Sequence, residues 1–158
     1  MSETDRECGY GEFTRLDRCE SLRLLASAPV GRLIFTVHAL PTVRPMNHML
    51  VDRLILLRTA AGSTVARKVD GAVVAFEADE LDAATCSGWS VTVTGRAALV
   101  TDPEAIAGYR QVRLLPWAPG AHEVFVTITT ELIEGRRVHR GTPAADRKAA
   151  GGGRAGLG

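Results

Sequence analysis

Two short stretches carry residue types able to hold an anion or a flat ligand. In "PTVRPMNHML", residues 41–50, Pro45 sits inside a strand-like run, with Arg44, Met46, Asn47 and His48 around it. Proline removes one ladder donor, so it belongs on a sheet edge or at a bulge, where neighbouring backbone groups face a ligand. In "LLRTAAGST", residues 56–64, a basic side chain at a strand end precedes small residues and hydroxyls. Arg58 would supply charge there, and Thr59, Ser63 and Thr64 hydroxyl and amide donors, a composition suited to an anionic group. A third stretch, "GWSVTVTGRA" at 88–97, places Trp89 beside Ser90, a wide ring with a polar neighbour that suits a planar ligand. Taken singly, each stretch reads first as ordinary architecture: a core tryptophan, a strand-end arginine, a tolerated edge proline.

Other chemistry is thinner. No glycine-rich phosphate loop and no Gly-x-Ser-x-Gly elbow occurs. His48 is the best candidate for acid–base work. Asp79, Glu80 and Asp82 read as a solvated turn after a strand, and the basic run "EGRRVHR" as a phosphate site or a solvated strand end. Cys8, Cys19 and Cys86 are odd in number and widely spaced, which predicts free thiols. With His38, His48, His122 and His139 they form no ligand pattern, so no metal is expected.

The chain of 158 residues suits one domain. Its 19 basic and 18 acidic residues leave a formal charge of +1, which argues against nucleic acid as the main partner. No apolar run approaches the ~20 residues of a membrane span, and "MSETDRECGYGEFTR" lacks the apolar core of a signal peptide. A cytoplasmic protein is expected.

The elements that must position these residues follow from periodicity. Residues 1–15 are polar and expected to be loose, and the domain spans 16–140. Leu16 to Ala28 has helical spacing, with Asp17 at its start and Pro29 as its stop. Strands are expected at 30–37, 41–51, 53–59, 72–79, 89–100 and, in one piece that can bend, 122–138. Gly95 predicts a bulge or tight bend. Residues 62–69 suit a short helical turn, Asp102 and Pro103 open another helix, and "PWAPG" at 116–120 is a loop. The Gly/Ala-rich stretch 141–158 is expected to be disordered. Six strands joined by short turns predict a mainly β protein, an antiparallel barrel with peripheral helices.

The chain resembles the pyridoxamine 5'-phosphate oxidase-like family of flavin-binding split β-barrels, particularly its small actinobacterial members. The resemblance covers about Leu16 to Val138 and is carried by "LLASAPVGRLIFTVHALPTVRPMNH", "LRT", "VVAFEADELDAATCSGWSVTVTGRAALVTDPE", "PWAPG" and "EGRRV" in that order. It implies a six-stranded split barrel, a homodimer and FMN in a groove between subunits. It also implies that Arg44 to Asn47 lie along the flavin ring, that Arg58, Thr59 and Ser63 lie near the phosphate, and that Trp89 and Ser90 contribute from the subunit interface. Many relatives carry a lysine where Thr64 stands in "GST". Lys68, or Arg67, would then take its place; otherwise FMN affinity would be reduced, or the ligand would be another flavin such as a deazaflavin. The function implied is flavin binding, with oxidoreductase chemistry on an unnamed small molecule or a non-catalytic carrier role.

Overall fold

Asp17 starts the first helix. In the computed structural model, which describes residues 12–116 and 122–140, its carboxylate accepts from the backbone N–H of Glu20 at 2.8 Å. That satisfies one of the donors a helix start leaves without an intrahelical partner. Helix α1 runs Arg18–Ser27 and buries Ser21, Leu24 and Leu25. Ser63 caps α2 (Thr64–Lys68), and Asp102 caps α3 (Pro103–Arg110), whose first position is the expected proline. Among the described residues no helix is long and apolar enough to cross a membrane.

Among the described residues nine strands make the sheet: β1 (Glu12–Leu16), β2 (Val30–Val37), β3 (Leu40–Asn47), β4 (Met49–Val51), β5 (Leu54–Ala60), β6 (Val73–Asp82), β7 (Ser87–Leu99), β8 (Glu123–Thr129) and β9 (Leu132–His139). All pairings are antiparallel, in the order β3-β2-β6-β7-β8-β5-β4, with β9 joining β1 and β7. Only His48 separates β3 from β4. One run of chain therefore forms both ends of the path: β3 pairs with β2, while β4 pairs with β5. The barrel closes through that run and stays split between β3 and β5. Two tight hairpin turns set the registers. His38 and Ala39, then Asp52 and Arg53, each place two successive residues at positive φ, the backbone that matches the twist of a two-residue hairpin.

The mainly β, antiparallel split barrel agrees with the sequence reading, but nine strands replace six. Residues 12–15, expected to be loose, and Leu16, expected to open the first helix, pair with β9 from Glu12↔His139 to Leu16↔Gly135. The run 41–51 divides at His48. The last strand divides at Thr130 and Glu131, because Thr130 is buried as a corner. Its hydroxyl donates to the Arg53 carbonyl at 2.9 Å, and its own carbonyl accepts from Arg18 at 2.7 Å. Strand β7 turns the same corner at Gly95, pairing with β9 up to Thr94 and with β8 from Ala97. The core alternates as expected: Trp89, Val91 and Val93 are buried while Ser90, Thr92 and Thr94 are half-buried. They pack with Leu25, Leu33, Ile55, Leu57, Phe76 and Ile128.

Two smaller expectations need correction. Asp79 and Glu80 lie within β6, not in a turn, and Asp79 pairs with Arg32 at 3.1 Å. Cys19 is a free thiol, but Cys86 is disulfide-bonded. The expected tail at 141–158, the chain before residue 12 and most of the "PWAPG" loop also lie outside them.

Candidate functional site

The split between β3 and β5 opens a cavity of about 250 Å³. One wall is Arg44, Pro45, Met46 and Asn47 of β3. The facing wall is Arg58, Thr59 and Ala60 of β5, continued by Ser63, Thr64 and Val65 at the start of α2, with Pro116 at the rim. β3 is an end strand of the path, bonded only to β2 on one side. Pro45 faces Arg32 in that pairing, and its missing N–H is tolerated because the strand is an edge. Proline and the polar residues around it thus occupy the strand that leaves its neighbour and opens the barrel.

On the facing wall, Arg58 is half-buried and held from several sides. Its Nη1 donates to the Leu114 carbonyl at 3.2 Å, its Nη2 pairs with the Glu123 carboxylate, and its guanidinium carbon lies 5.6 Å from the centre of the Phe125 ring. Its Nε is buried without a hydrogen-bond partner. Asn47 Nδ2 donates to the Leu115 carbonyl at 2.8 Å, so both walls hold the segment that leads to Pro116. The hydroxyls of Thr59 and Ser63 lie 2.9 Å apart, and Ser63 also accepts from the Ala66 N–H at 3.1 Å. This couples the end of β5 to the start of α2. Arg44 is exposed, and its guanidinium donates to the Val43 carbonyl at 2.9 Å.

Eight of the residues singled out in the sequence thus line one cavity: Arg44, Pro45, Met46, Asn47, Arg58, Thr59, Ser63 and Thr64. Three do not. Lys68 is exposed at the far end of α2, and Arg67 donates to the Gly62 carbonyl at 3.0 Å. Trp89 is 6% exposed and packed in the core, with Ser90 opposite Asp79 on β6. His48 is buried as well; its Nε2 bonds the Leu25 carbonyl at 2.7 Å, its ring centre lies 4.8 Å from that of Phe76, and burial lowers its pKa. It does not line the cavity. Of the basic run near the end, Arg137 pairs with Glu20 at 2.7 Å.

Sequence reasoning missed Glu123 and the carbonyls of Leu114 and Leu115. No local signal marks them: Glu123 meets Arg58 only through the pairing of β5 with β8, and the two carbonyls accept from Arg58 and Asn47 from the segment after α3. No group of three or more metal-ligating side chains comes together among the described residues.

The sequence and the fold have counterparts among known proteins. The profile described as pyridoxamine 5'-phosphate oxidase matches residues 17–144. An uncharacterized protein of Mycobacterium tuberculosis is 45% identical over 132 residues, covering 80% of this chain and 86% of that protein. The solved FAD binding protein from Mycobacterium smegmatis is 35% identical, with a TM-score of 0.72 over 81% of this chain and 100% of that one. A conserved protein of unknown function from Corynebacterium diphtheriae is 31% identical, with a TM-score of 0.66 over 78% and 96% of the two chains. The matched span contains both cavity walls and the strands that pair with them, and so the chain belongs to the pyridoxamine 5'-phosphate oxidase family of split β-barrels.

Proposed function

We propose that this protein binds a flavin, FMN in the first instance, in the split between β3 and β5. The observation that carries the reading is the cavity itself. It faces an edge strand (Arg44 to Asn47) toward a wall ending in hydroxyls and a guanidinium (Thr59, Ser63, Thr64, Arg58). A flavin has the matching shape, a flat ring with a polar rim and a ribityl arm. The residues present fit it: Pro45, Met46, Ala60, Val65 and Pro116 offer apolar surface, and Thr59, Ser63, Thr64 and Arg58 offer hydroxyls and a guanidinium. Arg44 to Asn47 would hold the ring, and Ser63, Thr64 and Arg58 the arm and its phosphate. The relative from Mycobacterium smegmatis, described as FAD binding, supports a flavin ligand.

When bound, the flavin supplies the electron-transfer chemistry, and the chain supplies position and electrostatics. No Asp, Glu or His is among the described residues that line the cavity. Those residues therefore orient the ligand and exclude water, without a side chain suited to proton transfer near neutral pH. An oxidoreductase acting on a small molecule is the activity we propose.

We also propose a homodimer. At about 250 Å³ the cavity falls just below the ~300–1,000 Å³ of complete small-molecule sites, as expected of a cleft with one wall on a second copy. The outer sheet face supplies a row for that contact: Val43, Ile34, Ala75, Thr94 and Leu132 are successive cross-strand neighbours, and Val43 and Leu132 are 48% and 66% exposed.

Titration of purified protein into riboflavin and FMN tests the binding. Saturable quenching of flavin fluorescence is expected, and its absence for both flavins overturns the reading. Anaerobic mixing of the loaded protein with NADH or NADPH then tests the redox activity, with bleaching of the flavin absorbance as the expected result.

A further inference from the structure

We infer that Glu123 determines how the cavity discriminates between phosphorylated and unphosphorylated flavins. The inference rests on the flavin reading above and concerns the charge of the wall that would receive the phosphate.

Arg58 on β5 stands opposite Phe125 on β8, and Ala60 stands opposite Glu123. The Arg58–Glu123 pair is therefore a diagonal contact, within reach of two long side chains on neighbouring strands. The side chains are 23% and 17% exposed, so solvent and salt screen the pair less than a surface ion pair. The guanidinium gives one amino group to Glu123 and one to the Leu114 carbonyl, while its Nε stays buried and unpartnered.

An uncharged group on a ligand, a hydroxyl or a carbonyl, meets this wall without disturbing the ion pair. A phosphate brings negative charge beside the Glu123 carboxylate, and the repulsion offsets its attraction to Arg58. The other guanidinium of the cavity wall, Arg44, is exposed and solvated, so its contribution is common to every variant below. The wild-type wall is thus close to neutral, and riboflavin and FMN should bind with similar affinity. Thr64, on the same wall, adds no charge.

The preference should track the net charge of the pair, and four proteins read it: wild type, Glu123→Gln, Arg58→Gln and the double variant. Each is titrated with FMN and with riboflavin by fluorescence quenching, after circular dichroism has verified the fold. The ratio of riboflavin Kd to FMN Kd should rise about tenfold in Glu123→Gln, fall about tenfold in Arg58→Gln, and return to within about twofold of wild type in the double variant. Arg58→Gln leaves a half-buried carboxylate alone; if it does not fold, Glu123→Gln and the double variant decide. A ratio that stays constant while both flavins bind overturns the role of Glu123 and leaves the flavin reading standing. A wild-type protein that binds neither flavin overturns both.

Discussion

The Nε2–H of His48 donates to the backbone carbonyl of Leu25, 2.7 Å away, and ties α1 to the one residue at which the shared strand changes partner. A carbonyl only accepts, so this nitrogen carries the proton and Nδ1, which has no partner, is the neutral acceptor. Burial is the larger influence on the ring and lowers its pKa below 6.5, against the smaller opposing effect of the Leu25 bond. The unfolded chain therefore binds this proton more readily than the folded one. The stability contributed by the neutral ring is complete above the unfolded pKa of 6.5 and is lost as pH falls from there through the folded pKa. The urea midpoint should drop as pH falls below that value, and His48→Gln should flatten that dependence. A wild-type midpoint that ignores pH in this range contradicts the assignment.

Gly95 marks the corner where β7 passes from β9 to β8. A Cβ there would overlap the Thr129 carbonyl, a backbone group that cannot swing away. Gly95→Ala should destabilise by about 3 kcal/mol or more. At Gly108 in α3 an added Cβ would meet only open space, so Gly108→Ala should be neutral or stabilise by up to about 1 kcal/mol. Urea unfolding of both variants checks the contrast, and equal effects would contradict it.

Trp89→Ala should destabilise by about 3–5 kcal/mol, because its ring fills the core rather than the cavity. Trp89→Phe should fold and bind flavin as wild type does. Selective loss of flavin binding in folded Trp89→Phe would return the ring to the ligand.

For the proposed dimer, Val43→Asp should give a folded monomer, since it places a charge in the exposed apolar row of the outer face. Sedimentation velocity reads the outcome. A wild-type protein that is already monomeric at micromolar concentration contradicts the proposal.

Much of this is legible in local pattern. The alternation from Trp89 to Thr94, the proline inside 41–50 and the caps at Asp17 and Asp102 each report a backbone state that neighbouring residues determine. What escapes depends on distant pairing. Residues 12–15 look loose because "EFTR" has little to bury by itself; Gly135 lets β9 lie close to Leu16 and α1, since a Cβ there would strike Leu16 and Ser21. Trp89 and Ser90 suggest a ligand surface because a ring beside a hydroxyl looks the same in a core strand and in a site. Arg58 looks like a free charge because Glu123 lies 65 positions away in sequence and meets it only across β5 and β8.

The central claim is that a flavin occupies the split between β3 and β5. Ala60 lines that cavity with a single methyl group, so Ala60→Phe should fill it while leaving the strand pairing intact. The direct measurement is riboflavin titration of wild type and Ala60→Phe by fluorescence quenching, with circular dichroism verifying that both are folded. Saturable binding to wild type and at least a tenfold loss, about 1.4 kcal/mol, in the variant is the expected result; equal affinity in the two proteins, or no binding to wild type, would contradict it.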